Sequence, residues 1–373
     1  MGSVPRRVVV APDSFKGSAR AVDVAEALAA GWREVRPDDE LVLVPMADGG
    51  EGTVDAFAVA FPGARRHLVT VPGPDDRPVE AAWLMLPDAT AVVELASASG
   101  LSLLDPLRPL TAHTRGFGRA IADALDAGAR ALLLAIGGSS STDGGVGALR
   151  ELGARFVTVS GRELGDGGGA LRALAAVDLR GMRPLPPGGA RILSDVTSPL
   201  LGDVGAARVF GPQKGASPDD VLRLEDGLRH LAAHLDADPE AAGAGAAGGT
   251  GFGLLAWGAR LSLGSAAVAE ALGLAAAVAG ADVVVTGEGR FDEQSQAGKV
   301  PSSVLALAEA AGAWAYLVAG SLEAPPTGFA VSASLAEAAG SVAAAMAEPL
   351  PALRAVGARL ALATPSSRVG GRA

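Results

Sequence analysis

The sequence predicts an α/β protein. Three observations carry that expectation. Short branched-aliphatic runs alternate with alanine-rich stretches of helical period. Five polar clusters each follow one of those runs directly, and parallel α/β sheets gather ligand sites beyond the carboxyl ends of their strands. No apolar run approaches the roughly 18 residues that would span a bilayer; the nearest, Ala271–Ala281, is bracketed by Glu270 and Asp282.

Taken in order, Val8–Ala11 is the first strand, and Pro12-Asp13-Ser14-Phe15-Lys16 follows it. A helix is expected over Ala19–Val35, with Ser18 as its N-cap. Leu41–Val44 is the second strand and leads to Ala47-Asp48-Gly49-Gly50-Glu51-Gly52. Ala91–Leu95 is a strand, Arg115–Ala127 a helix, and Ala131–Ile136 a strand that runs into Gly137–Gly145. Arg191–Leu193 precedes Asp195-Val196-Thr197, and helices are expected over Pro218–Leu235 and Ser265–Leu272. Asp282–Thr286 is a strand with the polar Gly287–Asp292 after it. Helix Ser302–Ala311, strand Ala315–Ala319 and helix Leu335–Ala347 complete the series. Gly161–Gly169 reads as a flexible surface loop. Ala241–Gly253 reads as a hinge, or as a glycine cradle for phosphate ahead of a helix. The tail, Thr364–Ala373, reads as disordered.

With 373 residues the chain has room for two domains, or for one large domain carrying an insertion. The net charge of −10 argues against a general nucleic-acid binder. The absence of cysteine removes disulfides, thiol chemistry and thiolate metal sites. Arg6-Arg7 is followed by too short an apolar run for a signal peptide, so a cytoplasmic protein with no membrane partner is expected. Lysine and arginine total 31, yet only Lys16, Lys214 and Lys299 are lysine, and each abuts glycine. A compact ammonium beside backbone that can approach a ligand suits a phosphate oxygen.

Gly137, Gly138, Ser139, Ser140, Ser141, Thr142 and Asp143 form the densest polar cluster. Its hydroxyls and glycines suit ligand binding, and Asp143 could hold Mg²⁺ or accept a proton. Between Thr286 and Lys299 lie the acids Glu288 and Asp292 and the cations Arg290 and Lys299, a mixture suited to a polyanion carried with its metal. The third glycine of a dinucleotide fingerprint is missing there. Asp13, Asp48 and Asp195 each stand at a strand end, one able to act as general base and another as metal ligand. His230 and His234 share a helix face but lack a third ligand, and His113 reads as structural.

In this order the clusters resemble the bacterial glycerate kinases of the first type, from Val8 to about Leu322. Phe210-Gly211-Pro212-Gln213-Lys214-Gly215-Ala216, Gly248-Gly249 and Gly298-Lys299 belong to the same pattern. The resemblance implies transfer of phosphate from ATP, with Mg²⁺, to a hydroxyl of D-glycerate, giving 2-phosphoglycerate; the 3-hydroxyl is the alternative. It also implies a Rossmann-like parallel-sheet domain with a second α/β domain inserted and an active cleft between them. Residues 1–66 and 280–373 would build the first and 67–279 the second. Lys16, Lys214, Arg290 and Lys299 would neutralise phosphate and carboxylate, with Asp195 or Asp48 as base. Asp143, Glu288 and Asp292 would hold the metal. Asp13, Ser14, Gly137, Gly138, Ser139, Ser140, Ser141, Lys214, Gly287 and Gly289 would bind substrate or phosphate. Thr142, Ser198 and Ser295 depart from the family pattern, and the chain after Leu322 looks shortened against it. Pairing with a second copy is an open expectation. The rival readings are a non-catalytic sensor of an anionic metabolite and another enzyme of phosphorylated sugar acids.

Overall fold

The computed structural model describes residues 4–296 and 299–365. Two compact units divide the chain. The first takes the residues up to Asp48, Asp55–Ala60 and the chain from Ser265; the second takes Gly49–Val54 and Phe61–Gly264. The boundaries expected near 66 and 280 thus fall at 60 and 264. Among the described residues no helix is long and apolar enough to cross a membrane.

The strands are β1 (Arg7–Val10), β2 (Glu40–Leu43), β3 (Arg65–Pro72), β4 (Pro78–Met85), β5 (Thr90–Glu94), β6 (Ala131–Ala135) and β7 (Arg155–Thr158). They continue with β8 (Leu174–Asp178), β9 (Ala190–Leu193), β10 (Arg260–Ser262), β11 (Val283–Phe291), β12 (Trp314–Leu322) and β13 (Val331–Ser334).

In the first unit the sheet order is β13-β12-β11-β1-β2, and every pairing is parallel. Counted by appearance within the unit and read from the opposite edge, that is 2-1-3-4-5. It is one of the two common doubly wound orders, and it places a topological switch point between β1 and β11. Val8, Val9 and Val10 are buried on both faces, as a strand covered by helices on either side requires. The helix Ala21–Val35 buries Val24, Leu28 and Trp32 against Leu353, Val356 and Leu360 of the helix Pro349–Ala363. Two glycines let these helices touch backbone to backbone. A Cβ on Gly31 would lie 1.8 Å from the Arg354 carbonyl oxygen, and one on Gly357 would lie 2.2 Å from that of Leu28. The N-cap of the first helix is Arg20 rather than Ser18, whose hydroxyl donates to the Phe15 carbonyl instead. The single helix expected over Leu335–Ala347 is two, Leu335–Ala339 and Val342–Ala347. They part at Gly340 (φ 87°), and Ser341 caps the second.

The second unit holds a six-stranded sheet of order β10-β9-β6-β5-β4-β3. Its β5-β6-β9-β10 half is parallel, while β3, β4 and β5 pair antiparallel. A separate antiparallel pair, β7-β8, stands apart from it. The stretch 161–169 is no free linker. Asp166 is bonded to Arg150 at 2.7 Å, and a Cβ on Gly168 would lie 2.2 Å from the Thr142 carbonyl oxygen. Nor is 241–253 a hinge. It turns into the helix Ala246–Ala256 through left-handed backbone at Ala247, Gly248 and Gly249, and Gly144 N donates to Gly248 O. Its glycines allow close packing against the serine-rich loop. The tail from 366 lies outside the described residues.

Candidate active site

In the first unit the site forms at the switch point. Beyond the end of β1 the chain stays bonded to β11, since Ala11 N donates to Val285 O and Asp13 N to Gly287 O. That places Asp13 near Glu288. The segment after β2 is held alongside by Met46 N donating to Pro12 O, and Asp48 accepts from Lys16 Nζ at 2.6 Å. Three carboxylates therefore act on one ammonium. Burial, then the neighbouring Asp48, push Asp13 well above the usual carboxylate range, against the pull of Lys16. Burial raises Glu288 as well, opposed by Ser295 and Lys299, and its Oε1 is buried without a hydrogen-bond partner. Burial works to lower Lys16, but Asp48, Asp13 and Glu288 outweigh it and hold the ammonium above its ordinary value.

β11 runs through to Phe291 rather than ending at Thr286, so the Gly287–Phe291 motif is strand, not loop. Strand alternation puts Glu288 and Arg290 on one face and Gly287 and Gly289 on the other. Both glycines were expected to bind phosphate; Gly287 is taken up by packing against β12, whereas Gly289 also lines the cavity. A Cβ on Gly287 would lie 2.2 Å from Val318 O, and one on Gly289 would lie 3.3 Å from Lys16 N. Asp292 accepts from Ser295 N at 3.1 Å and stands 3.4 Å from Arg290 Nε and 3.9 Å from Lys299 Nζ. Burial works against ionisation there, but Ser295, Lys299 and Arg290 prevail and hold Asp292 below its ordinary value. Gly298 lies outside the described residues.

A cavity of about 460 Å³ joins these groups: Asp13, Ser14, Lys16, Asp48, Glu288, Gly289, Arg290, Asp292 and Lys299 all line it. The sequence reading missed the rest of its wall, which includes Ser321, Glu323, Leu335, Val342 and Met346. No polar motif marks those positions, and apolar residues in a helix announce burial, not a ligand.

The second unit holds the other expected residues, and most prove structural. Asp143, expected to bind metal, is buried and ringed by donors. Its Oδ2 accepts from Thr114 N, Thr114 Oγ1 and Gly147 N, and its Oδ1 from Ser141 Oγ and Gly145 N. Five donors leave no room for a cation. Ser140 Oγ donates to Ser99 O, so neither it nor Ser141 offers a free hydroxyl. Lys214, expected on phosphate, is buried, and its Nζ donates to Ser139 Oγ at 2.8 Å and Ser141 O at 2.6 Å. Burial lowers its pKa to about 7, with Asp143 opposing. Gly137 N donates to Gly49 O, and a Cβ on Gly137 would lie 2.6 Å from Gly50 Cα, so these two glycine turns interlock. Gly138 takes positive φ (74°) in the same turn. Asp195 follows β9 half-buried, in the second unit, whereas Asp48 belongs to the first.

Glu94 was also missed. Its Oε2 accepts from Gly52 N and Val54 N and fixes the Gly49–Val54 segment. A glutamate closing the apolar run Ala91-Val92-Val93 was the available signal. His230 and His234 make no metal pair, since each ring contacts a backbone carbonyl, of Leu174 and His230 respectively. His113 accepts on Nδ1 from Arg115 N at 3.3 Å, and the Arg115 guanidinium already stands as cation at 3.3 and 3.5 Å from Asp76 and Asp166.

A doubly wound α/β unit whose switch point carries a mixed acid and cation cavity defines a protein that handles a polyanion. The glycerate kinase family model matches residues 8–364, and the chain belongs to that family: it is a kinase, a phosphotransferase with an alcohol acceptor. It is 45% identical over 314 residues to glycerate 2-kinase of Escherichia coli (strain K12), covering 81% of this chain and 82% of that protein. It is 43% identical over 328 residues to glycerate kinase of Bacillus subtilis (strain 168), covering 85% of each. The crystal structure of a protein described as glycerate kinase 2 from Salmonella typhimurium LT2 superposes with a TM-score of 0.81 at 37% identity. That match covers 96% of this chain and 98% of the other.

Proposed function

We propose that this chain transfers the γ-phosphoryl group of ATP to the 2-hydroxyl of D-glycerate, giving 2-phosphoglycerate and ADP, with Mg²⁺ as the metal. The 2-position is the one named for the Escherichia coli relative. The observation that carries the chemistry is the gathering of three cations and five acids around one cavity at the switch point. Charge on the transferring phosphoryl group falls to Lys16, Arg290 and Lys299. A divalent cation suits the acids: Glu288 Oε1 is a buried oxygen without a donor, and Asp13 is crowded by like charge. Glu288, Asp292 and Asp13 are the groups to hold it, and Mg²⁺ there would neutralise the β- and γ-phosphate oxygens. Asp48 or Asp195 takes the hydroxyl proton, and the two are told apart by which Asn variant loses turnover without losing nucleotide binding.

The experiment is ADP release followed with and without D-glycerate, in Mg²⁺ and in chelator. Glycerate-dependent release that disappears with chelator is the expected result. Release indifferent to glycerate, or none from folded protein, removes the proposal.

A further inference from the structure

We propose that the first unit is the nucleotide-binding unit and that the adenine ring of ATP rests on Val342 and Met346. The inference rests on the kinase reading above and names where its nucleotide sits. The cavity wall has two chemistries. Lys16, Arg290, Lys299 and the neighbouring acids make one part; Leu335, Val342, Ala345 and Met346 make the other. Val342 and Met346 stand four apart on one helix, hence on one face, and are 54% and 52% exposed. Large apolar side chains left open on the wall of a charged cavity call for an apolar piece of ligand. Glycerate has none, being three carbons bearing hydroxyls and a carboxylate. ATP has both parts: a triphosphate for the cationic wall and a flat, weakly polar base for the apolar one. A cavity of about 460 Å³ falls in the range of organic-ligand pockets and exceeds what a three-carbon acid fills. Ser321 and Glu323 also line it and supply polar atoms of the kind a ribose engages.

The test uses the full chain with Val342→Ser and Met346→Ser combined, neutral changes that leave the charged wall as it is. Leu350→Ser serves as control, exposed on the following helix and outside the cavity lining. Calorimetric titration with Mg·ADP should show Kd raised about tenfold or more in the double variant. Mg·tripolyphosphate binding, the KM for glycerate and the control should all match wild type. Unchanged Mg·ADP binding by the folded double variant overturns the seat, and so does equal weakening of ADP and tripolyphosphate. The two readings fail separately. Base-dependent nucleotide binding without glycerate-dependent ADP release would keep the seat and sink the kinase reading. An active kinase whose double variant binds Mg·ADP normally would do the reverse.

Discussion

In Asp13 and Glu288 burial shifts the balance toward the protonated carboxyl relative to water, and this sets how stability responds to pH. Their unfolded values lie near 3.8 and 4.5, and in the folded chain both are raised. Between those limits the folded chain holds protons that the unfolded chain has released, so stability falls as pH rises through that window. Asp13→Asn should flatten the fall in melting temperature from acid to neutral pH; a variant that keeps the wild-type slope contradicts the crowding. At the same wall, Lys299→Ala should lower turnover by about a hundredfold, as loss of a charge contact in the transition state does. Activity close to wild type would remove Lys299 from the mechanism. Of the three lysines that the sequence singled out, Lys16 and Lys299 do reach the cavity. Lys214 is instead a buried clamp, because adjacency to glycine reveals backbone access but not which way a side chain turns.

At the scale of elements, the serine-rich loop shows where reading a sequence stops. Its glycines, hydroxyls and Asp143 carry the composition of a ligand loop, but the donors that saturate Asp143 include Thr114, far away in sequence. Asp143→Asn should therefore lower unfolding stability by about 2 kcal/mol or more, read by urea titration, and leave the Mg²⁺ dependence of turnover unchanged. A selective loss of Mg²⁺ affinity would restore Asp143 as a ligand. The crossing of the helices Ala21–Val35 and Pro349–Ala363 carries a second prediction. Glycine to alanine in a helix usually stabilises. Gly31→Ala should instead destabilise by about 1–3 kcal/mol, because the added carbon meets the Arg354 carbonyl. The core strands were legible because Val8–Val10, Val283–Val285 and Leu132–Leu134 are unbroken apolar runs. The β3-β4 hairpin was not, since β3 opens on Arg65-Arg66 and leaves Leu68 exposed. The helix Pro349–Ala363 was missed because two prolines stand in its first turn and Glu348 before it makes no side-chain cap.

For the whole molecule, the first unit is a doubly wound sheet whose second and third strands are separated in the chain by the whole of the second unit. Insertion there leaves the β1/β11 switch point assembled from residues about 275 positions apart, Asp13 and Glu288 among them. The α/β class and the glycerate kinase resemblance were readable because each motif sits where a strand ends. What the sequence withheld was the apolar wall at Val342 and Met346, since exposure is a property of packing. The most direct test of the central claim supplies purified protein with ATP, Mg²⁺ and D-glycerate and couples it to enolase alone. Phosphoenolpyruvate is followed by absorbance and ADP is assayed separately. Phosphoenolpyruvate and ADP appearing together are the predicted result, because enolase acts on the 2-phosphate and not the 3-phosphate. Glycerate-dependent ADP without phosphoenolpyruvate would contradict phosphorylation at the 2-hydroxyl.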